Sequence, residues 1–555
     1  MKKLLFFGVL LSSFIISCSK HTDTVQPIAA TISVSSIKIN EVTYSSNNFS
    51  NVNINPVIKL SFSAPVDRTT VNSNILFSQV SGASVPLSFS YSNNDSLVII
   101  QPSTPLRNLS KYSLAVTTAL KSQQQATLTS NVLINFITAI DSTDKFPQIS
   151  DSALLDLVQN QTFKYFWDFG HPVSGMARER NTSGEIVTTG GTGFGIMSML
   201  VGIKRNFITR TDGLSRIRTI VTFLKNNCTT FHGAFSHWVN GTTGATIPFS
   251  TLDNGGDLVE TSFLMQGLLT ARQYFNSATD ANEIDLRNKI NVLYNAVEWT
   301  WYRQNNQNIL TWHWSPTNNF AINAQIRGWD EALITYVMAA SSPTFPIPRI
   351  VYDNGWASNG GIRNNNNYFG YTLPMGPSNG GPLFFEHYSF LGINPNGLND
   401  PYANYQTQVI NHTKINYEYC KANPHNYNGY SNAIWGLTAS DDNVSGYSAH
   451  EPNNDIGVIS PTAAISSIPY TPTESLRALK FFYYKLGDRL WGPYGFYDAF
   501  NLTNIWFANS YLAIDQGPMI VMIENYRSGM LWNLFTSCPE VKTGMLNLGF
   551  TAPYL

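Results

Sequence analysis

Between Thr31 and Ala139, apolar and polar residues alternate in short runs: TISVSSIKI, VIKLSFSAPV, ASVPLSFSYS, DSLVIIQP, YSLAVTT and NVLINFITA, separated by turns such as SNND and PLRN. A period of two with turn residues between the runs predicts half-buried strands, here an antiparallel β-sandwich of about 100 residues. The rhythm changes at Asp151. DSALLDLVQNQTFKYFWDF sets Leu154, Leu155, Val158, Phe163 and Phe166 at helical spacing, with Asp151 placed to act as the N-cap. Helical spacing recurs in GFGIMSMLVGIKRN, DGLSRIRTIVTFLKNN, LVETSFLMQGLLTARQYF, DLRNKINVLYNAVEWTWYRQ, GWDEALITYVMAA, YANYQTQVINHTKINYEYC, TPTESLRALKFFYYKLG and NIWFANSYLAIDQGPMIVMIENYRS. Shorter candidates are PLFFEHYSFLG, SPTAAISSI and GMLWNLFTS. Roughly eleven or twelve helices result, joined by long Gly-, Asn-, Trp- and Pro-rich loops. Strands and helices do not alternate in the doubly wound manner, and GGTGFG at 190–195 lacks a hydrophobic strand before it and the dinucleotide spacing. A large all-helical domain follows the sandwich, and paired helices in an α/α toroid fit its size.

The N-terminus reads as an export signal. Lys2 and Lys3 precede the apolar stretch Leu4 to Ile16, which is too short for a membrane span. IISC resembles a bacterial lipobox, with Cys18 as the lipidated residue. The expected organisation is a signal at 1–17, a tether at 18–30, the sandwich at 31–139, a linker at 140–150 and the helical domain at 151–555. The lipid bilayer is then a partner through the anchor, with the protein on the periplasmic face of a membrane or at the outer-membrane surface, as a monomer.

Composition narrows the ligand. Charged residues make up only 12% of the chain, so its polar surface is built largely from neutral hydrogen-bonding groups, which suits a hydroxyl-rich ligand. Without residues 1–17 the chain carries 32 Lys and Arg against 35 Asp and Glu, a formal charge of −3, with no basic stripe for phosphates. Nucleic acid is excluded as a partner. Cys228, Cys420 and Cys538 are too scattered for a metal cluster or a disulfide scaffold. His171, His232, His237, His313, His387 and His450 show no zinc-binding spacing, and the G-x-S-x-G elbow is absent. Neither a metal nor a cofactor is expected.

Acids beside aromatic residues carry the remaining signal. In DNGGDLVETSFLMQGLL, Asp257 and Glu260 have the spacing of a capping box, and they also share one helical face beneath Asp253. The cap reading and the site reading stand level locally. In QIRGWDEALITYVMAA, Asp330 and Glu331 face different ways on a helix; an ion pair with Arg327 competes with a general acid prepared by the apolar surface of Trp329. Later loops add Glu386, His387 and Tyr388, then Trp435, Asp441 and Asp455, then Trp491, Tyr494, Tyr497 and Asp498, and finally Asp515. Aromatic faces can cover sugar rings while neighbouring polar groups take hydroxyls. A glycosidase needs two carboxyl groups, one protonated and one ionised.

The motifs YFWDF, TTGGTGFGIMSML, DNGGDLVETSFLMQGLL, GWDEALITYVMAASSP, GPLFFEHYSFLG, WGLTASD, SPTAAISSIPYTP, WGPYGFYDAFN and WFANSYLAIDQGP, in this order across residues 155–540, resemble the bacterial glucoamylase-like domain and more narrowly glycoside hydrolase family 144. PVIKLSFSAPVDRTTVNSNILF resembles bacterial immunoglobulin-like modules, which implies a spacer. The first resemblance implies an (α/α)6 barrel with its cleft at the loop end, and inverting, endo-type cleavage of β-1,2-glucan to sophorose-sized products. It further implies that Asp253, Asp257, Glu260 and Glu331 matter, with Asp498 or Asp515 as a late acid. Alternatives are another glucan linkage, exo action, or a surface glycan binder without activity.

Overall fold

The computed structural model describes residues 31–43 and 47–555, so the expected signal, tether and lipidated Cys18 lie outside the described residues. The chain divides into two compact units at Thr138/Ala139.

The first unit is a sandwich of two sheets. One has the strand order Val42–Thr43, Val34–Ile39, Ile58–Phe62, Leu97–Pro102 and Leu87–Ser92; the other has Asn48–Val52, Val132–Thr138, Lys111–Val116 and Ile75–Gln79. In Ile58–Phe62, alternate residues Ile58, Leu60 and Phe62 are buried while Lys59 and Ser61 are not. Ile58 pairs with Ile100 and Leu60 with Val98, so both strands turn the same parity inward. The sandwich is not wholly antiparallel, since Asn48–Val52 runs parallel to Val132–Thr138.

The second unit is an (α/α)6 barrel. Its inner ring is Thr189–Lys204, Leu258–Tyr274, Leu333–Ser341, the 3-10 turns Leu383–Glu386 and Ser389–Leu391, Pro461–Ser466 and Ala513–Ser528. Nearly every side chain on these segments is buried, which explains apolar or small residues all round rather than along one stripe. The outer ring is Asp151–Trp167, Arg210–Asn226, Ala281–Asn295, residues 349–356, Tyr405–Ala422 and Pro472–Leu490. Two glycines set the closest inner contact. A Cβ on Gly193 would lie 2.2 Å from the Phe263 carbonyl oxygen, and one on Gly267 would lie 2.2 Å from that of Gly193. Gly193 of GGTGFG thus serves helix packing.

One local expectation is corrected. Ser150, not Asp151, caps the first helix, its hydroxyl accepting from the Ala153 amide at 3.2 Å. Segment 144–149 packs on the helix Pro472–Leu490: the Lys145 amide donates to the Tyr484 carbonyl at 2.7 Å, and Phe146 stacks on Tyr483. Cys228, Cys420 and Cys538 are free thiols. Among the described residues, no helix is long and apolar enough to cross a membrane.

Candidate functional site

Short strands ahead of the inner helices bring the first acids together. Gly256–Asp257 pairs with His313–Trp314, and Ile186–Thr188 pairs with Trp238–Asn240. Helices Leu258–Tyr274 and Thr189–Lys204 start where those strands end, so their N-terminal turns sit side by side. Asp257 is the N-cap, one carboxylate oxygen accepting from the Glu260 amide at 2.9 Å. Glu260 does not complete a capping box. Its carboxylate reaches to the neighbouring helix, accepting from the Gly190 amide at 2.8 Å and the Thr188 hydroxyl at 3.1 Å. Two helix N-termini therefore hold this buried carboxylate, an arrangement that favours negative charge.

Histidines complete the group. His237 Nδ1 lies 3.0 Å from the second Asp257 oxygen, and His313 Nε2 lies 3.5 Å from Asp253 Oδ1. Burial opposes charge on His237, but Glu260, Asp257 and Asp253 outweigh it and push the imidazole up to about 9. Burial, reinforced by Asp257, pushes Asp253 up to about 6. Glu260 is raised by burial against the pull of His237. Donor atoms of His237, Asp253 and Asp257 all lie within 4.8 Å of one another, a set able to hold a metal ion. The sequence spacing did not reveal this His/Asp set, because its members come from different loops. Here the imidazolium supplies positive charge among the carboxylates.

Glu331 comes from a third element. GWDE is a turn, since Gly328 has a left-handed φ of 88° and the Asp330 carboxylate accepts from the Ala332 amide at 2.8 Å. The helix begins only at Leu333. Arg327 turns away to the Asn354 carbonyl and the Ser358 hydroxyl, so the expected intrahelical ion pair does not form. The Glu331 carbonyl accepts from the Ser389 hydroxyl, which ties this turn to the next inner segment. Burial first, then the fields of Asp257 and Glu260, push its carboxyl up to about 7. Glu331 and the first acids therefore share one electrostatic site.

A second acidic group faces the same region. Asp441 receives Arg180 Nη1 at 3.1 and 3.2 Å and the Ser510 hydroxyl at 2.5 Å, while its amide donates to Asp498 at 2.7 Å. Asp498 Oδ1 and Asp515 Oδ2 are buried without a conventional partner, and these two carboxyls are within hydrogen-bonding reach of each other. A single proton held between them would satisfy both. Burial, with Asp441 adding, pushes Asp498 up to about 7, and Asp515 is raised well above the usual carboxylate range by burial and Asp498. Tyr388 joins the two groups. Burial raises its hydroxyl, and Asp515, Glu331 and Glu260 all act on it.

Other candidates lie elsewhere or serve the fold. Trp329 is enclosed by Trp356, Phe390 and Tyr405, and Trp435 is fully buried with its Nε1 directed to the Glu474 carbonyl, so neither offers a face to sugar. His387 is buried against the Ser467 hydroxyl at 2.9 Å, and burial holds it near 3, hence neutral. Glu386 is fully buried beside His412 and the Thr413 hydroxyl. Asp455 is occupied by the Tyr430 and Tyr419 hydroxyls, at 2.7 and 3.2 Å. Trp491 packs edge-on against Tyr483 of an outer helix. Tyr494 and Tyr497 remain partly exposed, both packed on Tyr511. Arg180, Thr188, Gly190 and Ser510 escaped the sequence reading. Only Gly190 carried a signal, as a glycine of the GGTGFG run, and a Cβ there would lie 2.5 Å from Glu260 Oε2.

Residues 323–539 match the Glycoamylase family model, described as "Putative glucoamylase", and residues 31–138 match a bacterial Ig-like domain. An exo β-1,2-glucooligosaccharide sophorohydrolase (non-reducing end) of Parabacteroides distasonis is 46% identical over 420 residues, covering 72% of this chain and 58% of the relative, less than two thirds of that protein's length. The endo-β-1,2-glucanase of Chitinophaga pinensis, solved with sophorotriose and glucose, is 50% identical with a TM-score of 0.72, over 74% of this chain and 100% of that one. A β-1,2-glucanase structure from Parabacteroides distasonis is 37% identical with a TM-score of 0.70, over 94% and 74% of the two chains.

Proposed function

The chain belongs to the glucoamylase-like glycoside hydrolases of family 144, and on that premise we propose that it cleaves β-1,2-glucan internally, with inversion, releasing short oligosaccharides such as sophorose. One observation carries the reading. Glu331, raised to about 7, shares its site with the Asp253, Asp257 and Glu260 cluster at the loop end of the barrel. A carboxyl poised near neutrality is fit to donate a proton, and a neighbouring carboxylate is fit to accept one.

In the proposed reaction, water bonds to the anomeric carbon as the bond to the glycosidic oxygen breaks. Glu331 delivers its proton to that leaving oxygen. A carboxylate of the first cluster orients the water and takes its proton, directly or through a substrate hydroxyl. Inversion requires space for this water, and acid and base in such enzymes stand about 6.5–9.5 Å apart. His237 and the Gly190 amide keep Asp257 and Glu260 fixed, so that little reorganisation accompanies reaction. Export and lipid anchoring through Cys18 form part of the same proposal, with the Ig-like unit as a spacer.

The 46% identical exo-acting relative favours a second reading, release of sophorose from chain ends. Incubation with linear β-1,2-glucan beside starch, β-1,3-glucan and β-1,4-glucan, with early products resolved by size, separates the readings. Internal cleavage gives a spread of lengths at the first time points. Sophorose alone from the start would establish exo action, and products only from another glucan would overturn the linkage.

A further inference from the structure

The ribbon that carries Asp257 has a second face. Asp257 pairs with His313 and Gly256 with Trp314, and side chains alternate along a strand, so Trp314 points away from His313. There it meets Trp301, a residue 40% exposed. The His232 imidazole covers one face of Trp301 with centroids 3.7 Å apart and planes 14° apart, and Trp314 stands edge-on to both rings.

Local structure holds this stack in place. His232 Nδ1 lies 2.8 Å from Glu298 Oε2, and the Glu298 amide donates to the His232 carbonyl at 2.9 Å. His232 has a left-handed φ of 49°, unusual for a residue with a Cβ. Gly233 follows at 77°, and a Cβ there would lie 2.0 Å from the Ala296 carbonyl oxygen. The Trp301 amide donates to the Glu298 carbonyl at 2.8 Å. A strained backbone thus presents a flat aromatic face beside a half-exposed carboxylate, with the amide-rich segment Gln304 to Gln307 next in the chain.

We propose that Trp301, His232 and Trp314 form an accessory platform that binds a β-linked glucan chain outside the reacting subsites. An indole face covers the C–H face of a glucose ring, while a carboxylate and neutral amides take its hydroxyls. Its place on the reverse of the Asp257 ribbon keeps it apart from the reacting carboxylates. The proposal rests on the reading of this protein as a glucan hydrolase.

Affinity electrophoresis through gels containing linear β-1,2-glucan tests it, with E331Q used to suppress cleavage. E331Q is expected to be retarded, and E331Q with W301A to bind roughly three- to ten-fold more weakly. In the active protein, W301A should raise KM for long chains by a similar factor with kcat unchanged, and W301F, which keeps a smaller flat face, should fall between. Equal retardation and equal KM in both W301A and W301F would overturn the platform while leaving the hydrolase reading intact. Absence of both cleavage and retardation in the parent protein would overturn the hydrolase reading itself.

Discussion

Gly190→Ala inserts one methyl group where the candidate site has least room. The added Cβ would lie 2.5 Å from Glu260 Oε2, 2.9 Å from its Cδ and 3.0 Å from a Phe263 ring carbon. Ordinary contacts begin near 3.5 Å, so the carboxylate must retreat by about 1 Å. That retreat pulls it from the Gly190 amide at 2.8 Å and the Thr188 hydroxyl at 3.1 Å. A misplacement of about 1 Å in a reacting geometry costs on the order of 10²-fold in rate. Stability should suffer less. Overpacking costs about 1–3 kcal/mol, and alanine in place of glycine near a helix start recovers up to about 1 kcal/mol. The signature is thus a large fall in kcat/KM on β-1,2-glucan with a small fall in Tm. Gly193→Ala is the comparison, because its Cβ meets the Phe263 backbone at 2.2 Å, and backbone cannot swing aside; there, stability should fall more than in G190A. A folded G190A protein with activity within about three-fold of the parent would refute the reasoning.

The remaining predictions concern charge. Glu331→Gln should lower kcat by about 10²–10⁴-fold, and the parent's kcat/KM should fall on the alkaline side with an apparent pKa near 7, where Glu331 loses its proton; a flat profile to pH 9 would contradict this role. Asp498 and Asp515 are raised in the folded state, so their contribution to stability is full below the ordinary carboxylate range and is lost as pH rises, for Asp498 through about 7. Asp515→Asn keeps a neutral donor and should flatten the loss of denaturant stability between pH 5 and 8; an unchanged slope would count against the shared proton. Arg205 pairs with the fully buried Glu524 at 2.7 and 3.0 Å, so Arg205→Ala should cost about 3–5 kcal/mol in urea unfolding, with part regained in the double variant carrying Glu524→Gln.

Local regularities were legible in the sequence. The alternation in Ile58–Phe62 and the apolar run of Leu258–Tyr274 specify their elements, because burial on one face or all round imposes those patterns. The acidic edge at Asp253 to Glu260 was visible as well, together with the open choice between cap and site. The structure gives Asp257 the capping bond and sends Glu260 to the neighbouring helix. Long-range pairings left no local mark. Arg180 meets Asp441 across 261 residues, and His237 meets Asp257 from another loop. Aromatic residues misled where the loops are themselves buried. Trp329 and Trp435 sit beside acids in sequence yet fill the core, since large flat side chains bury well wherever a partner exists for the indole edge or ring. The helix expected over GWDEALITY begins late because Gly328 turns the backbone and Asp330 caps the following amide.

The central claim, inverting hydrolysis of β-1,2-glucan by Glu331 and the first acidic cluster, is tested most directly by proton NMR of the anomer released from linear β-1,2-glucan by the purified protein. The account predicts that the new reducing end appears first as the α-anomer and then mutarotates, with no signal from E331Q on the same time scale. Release of the β-anomer first, or no release of sugar at all, would contradict it.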